Sequence, residues 1–189
     1  MKRIHRGMAL ALSAVLLLLT AAPSAWAAEN TITIETAQDL AELSKNCSLD
    51  SWSQGKTVFL AGDIDLTGTD FRPIPTFGGT FDGQGHTISG LLVTGNGNVQ
   101  GLFRYVQVGG VVQDLSVRGT VSPTDFRDTA GGIVGSNRGQ LLRCTFQGTV
   151  KGESSVGGIA GINEAEGRLI NCTFSGLVEG NLHVGGIAG

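Results

Sequence analysis

Apolar and polar positions alternate in three ungapped segments of the chain, 112–121, 141–150 and 169–178. A period of two puts every second side chain on one face of a strand. Aligned, the segments give three apolar columns: Leu115, Cys144 and Cys172; Val117, Phe146 and Phe174; Val121, Val150 and Val178. Parallel strands stacked about 4.8 Å apart turn each column into a continuous ladder, so the pattern predicts an all-β fold filled rung by rung. A fourth column, Gly119, Gly148 and Gly176, shares that parity and predicts a tight bend at a corner. Upstream, Thr31-Ile32-Thr33-Ile34 reads as a half-buried strand. Asp63-Ile64-Asp65-Leu66 sets Ile64 and Leu66 on one face and both carboxylates on the other.

Helical spacing occurs at 36–44, where Thr36 is the expected N-cap, Asp39 stands three residues on as the acid of a capping box, and Leu40 and Leu43 form one apolar edge. Nothing beyond residue 50 reads as helix. Asp82-Gly83, Asn96-Gly97 and Gly109-Gly110 are turn dipeptides.

The pentapeptide Gly-Gly-Ile-x-Gly recurs as Gly131-Gly132-Ile133 with Gly135, Gly157-Gly158-Ile159 with Gly161, and Gly185-Gly186-Ile187 with Gly189. Its intervals of 26 and 28 residues suit one turn of a β-solenoid, whose units bury an apolar face only by stacking. In these blocks Ile133, Ile159 and Ile187 lie on one parity and Val134, Ala160 and Ala188 on the other, and the pattern leaves open which set faces inward. The expected organisation is a signal peptide at 1–27, a cap of one strand and one short helix at 28–57, and the solenoid at 58–189. A cap is needed because the first coil would otherwise expose its interior.

The signal peptide is read from a basic start containing Lys2, Arg3 and Arg6, an apolar run at 8–22, and the small-residue site Ala25-Trp26-Ala27. Fifteen apolar residues fall short of the roughly 20 that cross a bilayer as a helix, so the mature chain is not expected to span a membrane. Cleavage after Ala27 removes three of the 13 basic residues and none of the 16 acidic ones. The mature chain is therefore acidic, and nucleic acid is not an expected partner. The glycine content, 30 residues in all, is too high for a helical core and has no collagen period. Of the three cysteines, Cys144 and Cys172 are expected to stack as buried thiols, with a disulfide between adjacent coils as the alternative. Cys47 lies outside the repeats.

Gly101-Leu102-Phe103, the Gly-Gly-Ile-x-Gly blocks and Asn171-Cys172-Thr173-Phe174-x-Gly176-x-Val178 resemble the GLUG-motif repeats of bacterial secreted and surface proteins. The entry segment fits too: Asp63-Ile64-Asp65-Leu66, then Phe71-Arg72-Pro73-Ile74, then Phe81-Asp82-Gly83-Gln84-Gly85-His86, preceded by a Thr-Ala-x-Asp-Leu helix. The resemblance implies a right-handed parallel β-helix, export, and a place in a longer adhesin or immunoglobulin A peptidase-like protein. It implies no particular reaction.

Motifs for chemistry are sparse. His-Glu-x-x-His and Gly-x-Ser-x-Gly are absent, and Gly95-x-Gly97-x-x-x-Gly101 misses the dinucleotide fingerprint by one residue. The best catalytic candidates are Asp63, Asp65, Asp70 and Asp82 with Arg72 and His86, because β-helix enzymes of the pectate-lyase kind use Asp on a strand face. Asp63 and Asp65 are about 6.5 to 7 Å apart by strand rise, a separation that suits an inverting glycosidase. Asp in turns is more often structural. The chain is thus expected to be a non-enzymatic stalk or adhesion module without metal or cofactor, a carbohydrate-binding or polysaccharide-cleaving β-helix being the alternative. Expected partners are a host or cell-wall glycan or protein, and a second copy through the uncapped last coil, since the sequence stops inside a repeat block.

Overall fold

The computed structural model describes residues 30–124 and 129–189; the signal peptide expected at 1–27 lies outside them. The chain winds through about five coils of a parallel β-solenoid. β1 (Thr31–Ile34) and α1 (Ala37–Asn46) precede the first coil, which holds β2 (Thr57–Leu60), β3 (Ile64–Asp65) and β4 (Ile74–Phe77). The second coil is β5 (Thr80–Asp82), β6 (Thr87–Val93), β7 (Val99–Gln100) and β8 (Phe103–Val106). The third is β9 (Val111–Gln113), β10 (Ser116–Val121), β11 (Thr129–Gly131) and β12 (Val134–Asn137). The fourth is β13 (Gln140–Leu142), β14 (Thr145–Lys151), β15 (Val156–Gly157) and β16 (Ala160–Asn163), and the fifth is β17 (Arg168–Ile170), β18 (Thr173–Glu179) and β19 (Val184–Gly185).

Equivalent strands pair only between neighbouring coils, which makes four parallel sheets: β1-β2-β5-β9-β13-β17, β3-β6-β10-β14-β18, β7-β11-β15-β19 and β4-β8-β12-β16. Register follows the apolar columns. Val117, Phe146 and Phe174 are direct partners, as are Val121, Val150 and Val178. The first ladder extends upstream through Ile88 to Ile64. On another sheet, Val58, Phe81, Val112, Leu141 and Leu169 make a second run. Phe77, Phe81 and Phe103 meet edge to face or tilted, at 5.4 to 6.1 Å between centroids, and are buried in the first two coils.

The amino-terminal elements form as their local chemistry directs. Thr36 Oγ1 accepts from the Asp39 N–H, and the Asp39 carboxylate accepts from the Thr36 N–H, closing the capping box. Hydrogen bonds from Glu35 and Thr36 hold the Asp39 carboxyl below its ordinary range. Leu40 and Leu43 are buried, Ser44 Oγ donates to the Arg72 and Pro73 carbonyls, and β1 pairs with β2.

Two details differ from, or resolve, the sequence reading. The Gly119, Gly148 and Gly176 column lies inside β10, β14 and β18 and not at a corner between strands. Glycine is required there by closeness: a Cβ on Gly148 would stand 1.9 Å from the Gly119 carbonyl oxygen, and one on Gly176 equally close to that of Gly148. Gly148 and Gly176 also adopt φ of +150° and +145°. At the first two repeat pentapeptides both parities are buried, since Ile133, Val134, Ile159 and Ala160 are all fully enclosed, whereas Ile187 in the third is exposed. The chain folds so sharply there that a Cβ on Gly131 would lie 2.0 Å from the Val134 carbonyl oxygen, and one on Gly132 would meet the Phe146 ring at 2.4 Å.

Candidate functional site

The carboxylates singled out from the sequence do not converge. Asp63 and Asp65 do share the exposed face that flanks buried Ile64. Asp63 Oδ1 accepts from the Thr87 N–H at 2.8 Å and lies 3.4 Å from His86 Nδ1. Asp65 Oδ1 accepts from the Thr67 hydroxyl at 2.7 Å and the Thr67 N–H at 2.9 Å, a local turn that holds its carboxyl below the ordinary value. A glycosidase acid needs the opposite shift. Asp82 sits at the next corner, bound to the Gln84 N–H and to Gln113 Nε2, both at 2.9 Å. Its neighbours in a shallow recess are Asp114 and Arg143, while Asp70 and Arg72 line a different depression. Among the described residues no group of three His, Cys, Asp or Glu could hold a metal ion.

That other depression is the larger feature. Two adjoining hollows of about 660 and 850 Å³ share Ser48, Pro75 and Arg104 and form one cleft. One wall is the end of α1 and the loop after it, with Lys45, Ser48, Asp50 and Gln54; the floor is the outer face of β4 and β8. Gln107 fastens the loop to the floor, because its Nε2 donates to the Asp50 carbonyl and to Thr76 Oγ1, each at 2.9 Å. Thr76, Tyr105 and Ser136 are register partners across the floor, and Tyr105 is 42% exposed. Arg104 Nε donates to the Val99 carbonyl, and Arg138 lies 3.7 Å from Glu166. The cleft thus gathers Lys45, Arg72, Arg104 and Arg138 with Asp50 and Asp70, and Glu164 and Glu166 stand at its edge beside Ser136 and Arg138, a surface of mixed charge. Such a surface can hold a hydroxyl-rich ligand, and beside it Ser136 Oγ donates to Glu164 Oε1 at 3.2 Å.

The sequence reading passed over this cleft, although a signal existed. When Gly101-Leu102-Phe103-Arg104-Tyr105 is set against Gly132-Ile133-Val134-Gly135-Ser136, Arg104 stands where the repeat has glycine, and Tyr105 where it has serine. A bulky departure from a repeat marks a place where one coil does something its neighbours do not.

Comparison with known proteins bears on the coils. Residues 152–178 match the family described as Glug, the GLUG motif. The chain carries a GLUG motif. The matched span begins after β14, passes through β15, β16 and β17, and ends in β18, so one GLUG unit is one turn of the solenoid. The chain is also 32% identical over 131 residues, 60% of its length, to Halomucin of Haloquadratum walsbyi. A crystal structure described as a candidate immunoglobulin A1 protease from Bacteroides ovatus superposes on 76% of this chain with a TM-score of 0.59 and 23% identity, which shows a shared fold. This GLUG chain spans 1% of halomucin and 47% of the Bacteroides chain.

Proposed function

We propose that this chain is an exported β-solenoid module that serves a secreted or surface protein as a stalk or adhesion unit and carries out no reaction of its own. The observation that carries the reading is the occupation of the candidate carboxylates: Asp65 and Asp82 each accept from the N–H two residues on, the bonding of a structural turn, and Asp63 accepts from the Thr87 N–H of the next coil. Continuous interior ladders give the stiffness a stalk requires. The basic start and apolar run of residues 1–27 support export, and so does the resemblance to the GLUG repeats of secreted and surface proteins.

Two measurements test it. The secreted product is expected to have the mass of a chain beginning at Ala28, and a product that keeps residues 8–22 would overturn export. Incubated with acidic polysaccharides, the purified chain should release neither reducing ends nor unsaturated products. Release that is abolished by Asp63→Asn or Asp65→Asn would establish the enzymatic alternative.

The cleft over β4 and β8 supports a second element of the reading, contact with a host or cell-wall glycan or protein. An exposed Tyr beside guanidinium groups is a surface on which a sugar ring can stack and an anionic group can pair. Retardation of the chain in a gel containing polygalacturonate, lost on Tyr105→Ala, is the expected result; equal mobility with and without the polymer would remove the cleft from this role.

A further inference from the structure

Cys144 and Cys172 hold equivalent places in successive coils, each one residue before the paired Thr145 and Thr173. The Thr173 N–H donates to the Cys144 carbonyl at 2.9 Å, so the two backbones are in ladder contact at the cysteines themselves. Rungs about 4.8 Å apart fall inside the roughly 4.4 to 6.8 Å between Cα atoms that a disulfide spans. Cys144 is fully buried and Cys172 packs against the same core. Cys172 Sγ points back toward the coil that holds Cys144, donating to the Leu141 carbonyl at 3.4 Å.

We propose that Cys144 and Cys172 are a cross-linking site, converted by a small-molecule disulfide into a bond that staples the fourth coil to the fifth. The chemistry needs an oxidising medium, which the exported reading supplies; the test below does not depend on export. The Cys172 sulfur, after losing its proton to solvent, attacks one sulfur of the oxidant and expels a thiolate, leaving a mixed disulfide. The Cys144 thiol then loses its proton, and its sulfur attacks that of Cys172 and displaces the second small thiolate. One small disulfide is reduced to two thiols, and two protein thiols are oxidised to one bond. The order follows from the surroundings. A hydrogen bond from Cys144 draws the Cys172 thiol below its ordinary value, whereas that same bond and then burial push the Cys144 thiol up.

Opposing the bond are the reduced-state contacts of Cys144 Sγ with the Val112 carbonyl and of Cys172 Sγ with that of Leu141, both 3.4 Å. Thiols are weak donors, so their loss costs less than closing the long loop between the coils gains. Cys47 is an internal control: it is fully buried at the C-cap of α1, and burial pushes its thiol up to about 12.

The test takes the reduced, folded full chain, exposes it to oxidised glutathione at pH 8, and counts thiols after unfolding in denaturant. The expected result is one remaining thiol of the original three, a mass lower by two hydrogens, and a tryptic product joining residues 144–151 to 169–189. The melting midpoint should rise and return on reduction, and Cys47→Ser should leave the cross-link intact. Three thiols remaining, a stable glutathione adduct on Cys172 with Cys144 still free, or a bond involving Cys47 would each overturn the proposal.

Discussion

Phe146 and Phe174 stack one coil apart, with ring centroids 6.3 Å from each other and planes within 8° of parallel. Ring pairs at that separation are within the range over which aromatic side chains attract. Phe146 is completely buried, whereas Phe174 is partly exposed. Phe146→Ala is therefore expected to cost about 3 to 5 kcal/mol, and Phe174→Ala less. Denaturant midpoints of the two variants check this, and an unchanged midpoint for Phe146→Ala would contradict the interior ladder.

The glycine ladder gives a sharper contrast. In Gly148→Ala the new methyl would sit 1.9 Å from the Gly119 carbonyl oxygen at a φ of +150°, and both partners are backbone, which cannot swing aside. A loss of more than about 2 kcal/mol, or no folded product, is expected. Gly62→Ala, with nothing within 4 Å of its Cβ, should stay within about 0.5 kcal/mol of the parent. Thermal melts of the pair supply the comparison.

Asn137 is a buried polar post between coils. Its Nδ2 donates to Asn163 Oδ1 at 2.8 Å and to the Gly139 carbonyl at 3.3 Å, and its Oδ1 accepts from the Gly139 N–H at 3.1 Å. Asn137→Ala leaves the buried Gly139 N–H unpaired, although the Gly139 carbonyl keeps the Arg168 N–H, and should cost about 1 to 3 kcal/mol. Asn163 is exposed, its place taken readily by water, so Asn163→Ala should cost less. Equal losses in urea unfolding would refute the difference in burial on which this rests.

Asp114 and Arg143 form a forked pair between the third and fourth coils, with Nε–Oδ1 and Nη2–Oδ2 at 2.6 and 2.7 Å. Hydrogen bonding to Arg143, aided by its charge, holds the Asp114 carboxyl below its ordinary range. A carboxylate with a lowered folded value contributes stability above its unfolded pKa, about 3.9, and loses it as pH falls through the folded value. The melting-point difference between the parent and Asp114→Asn should be steady above about pH 5 and vanish in stronger acid. Both side chains are substantially exposed, so salt should shrink the difference as well. A difference that grows on acidification would reverse the assignment.

Much of the architecture was legible because a repeat states the same local instruction several times. Period-two alternation and the 28-residue interval between Phe146 and Phe174 were enough to give the rungs and their register. Thr36 and Asp39 act within one turn of each other, so the capping box too could be read from four residues. The glycine column could be located but not explained, since its cause is the carbonyl of the rung before, 29 residues away in Gly119 and Gly148.

The site divides along the same line. By itself the sequence determined the coils, the inward ladders and the shared face of Asp63 and Asp65, all of which depend on neighbours along the strand or on a fixed repeat. Only the tertiary structure decided that Asp63 is spent on Thr87, 24 residues away, and that Asp70 and Asp82 lie in separate depressions. It alone brought Lys45 and Asp50 beside Arg104, Tyr105 and Arg138. Those residues belong to a loop and to coils that obey no common period, and their meeting depends on how the amino-terminal helix and its loop lie across β4 and β8, held there by Gln107. A repeat determines what each coil does with the next; where a non-repeating segment comes to rest on the coils is a matter of packing.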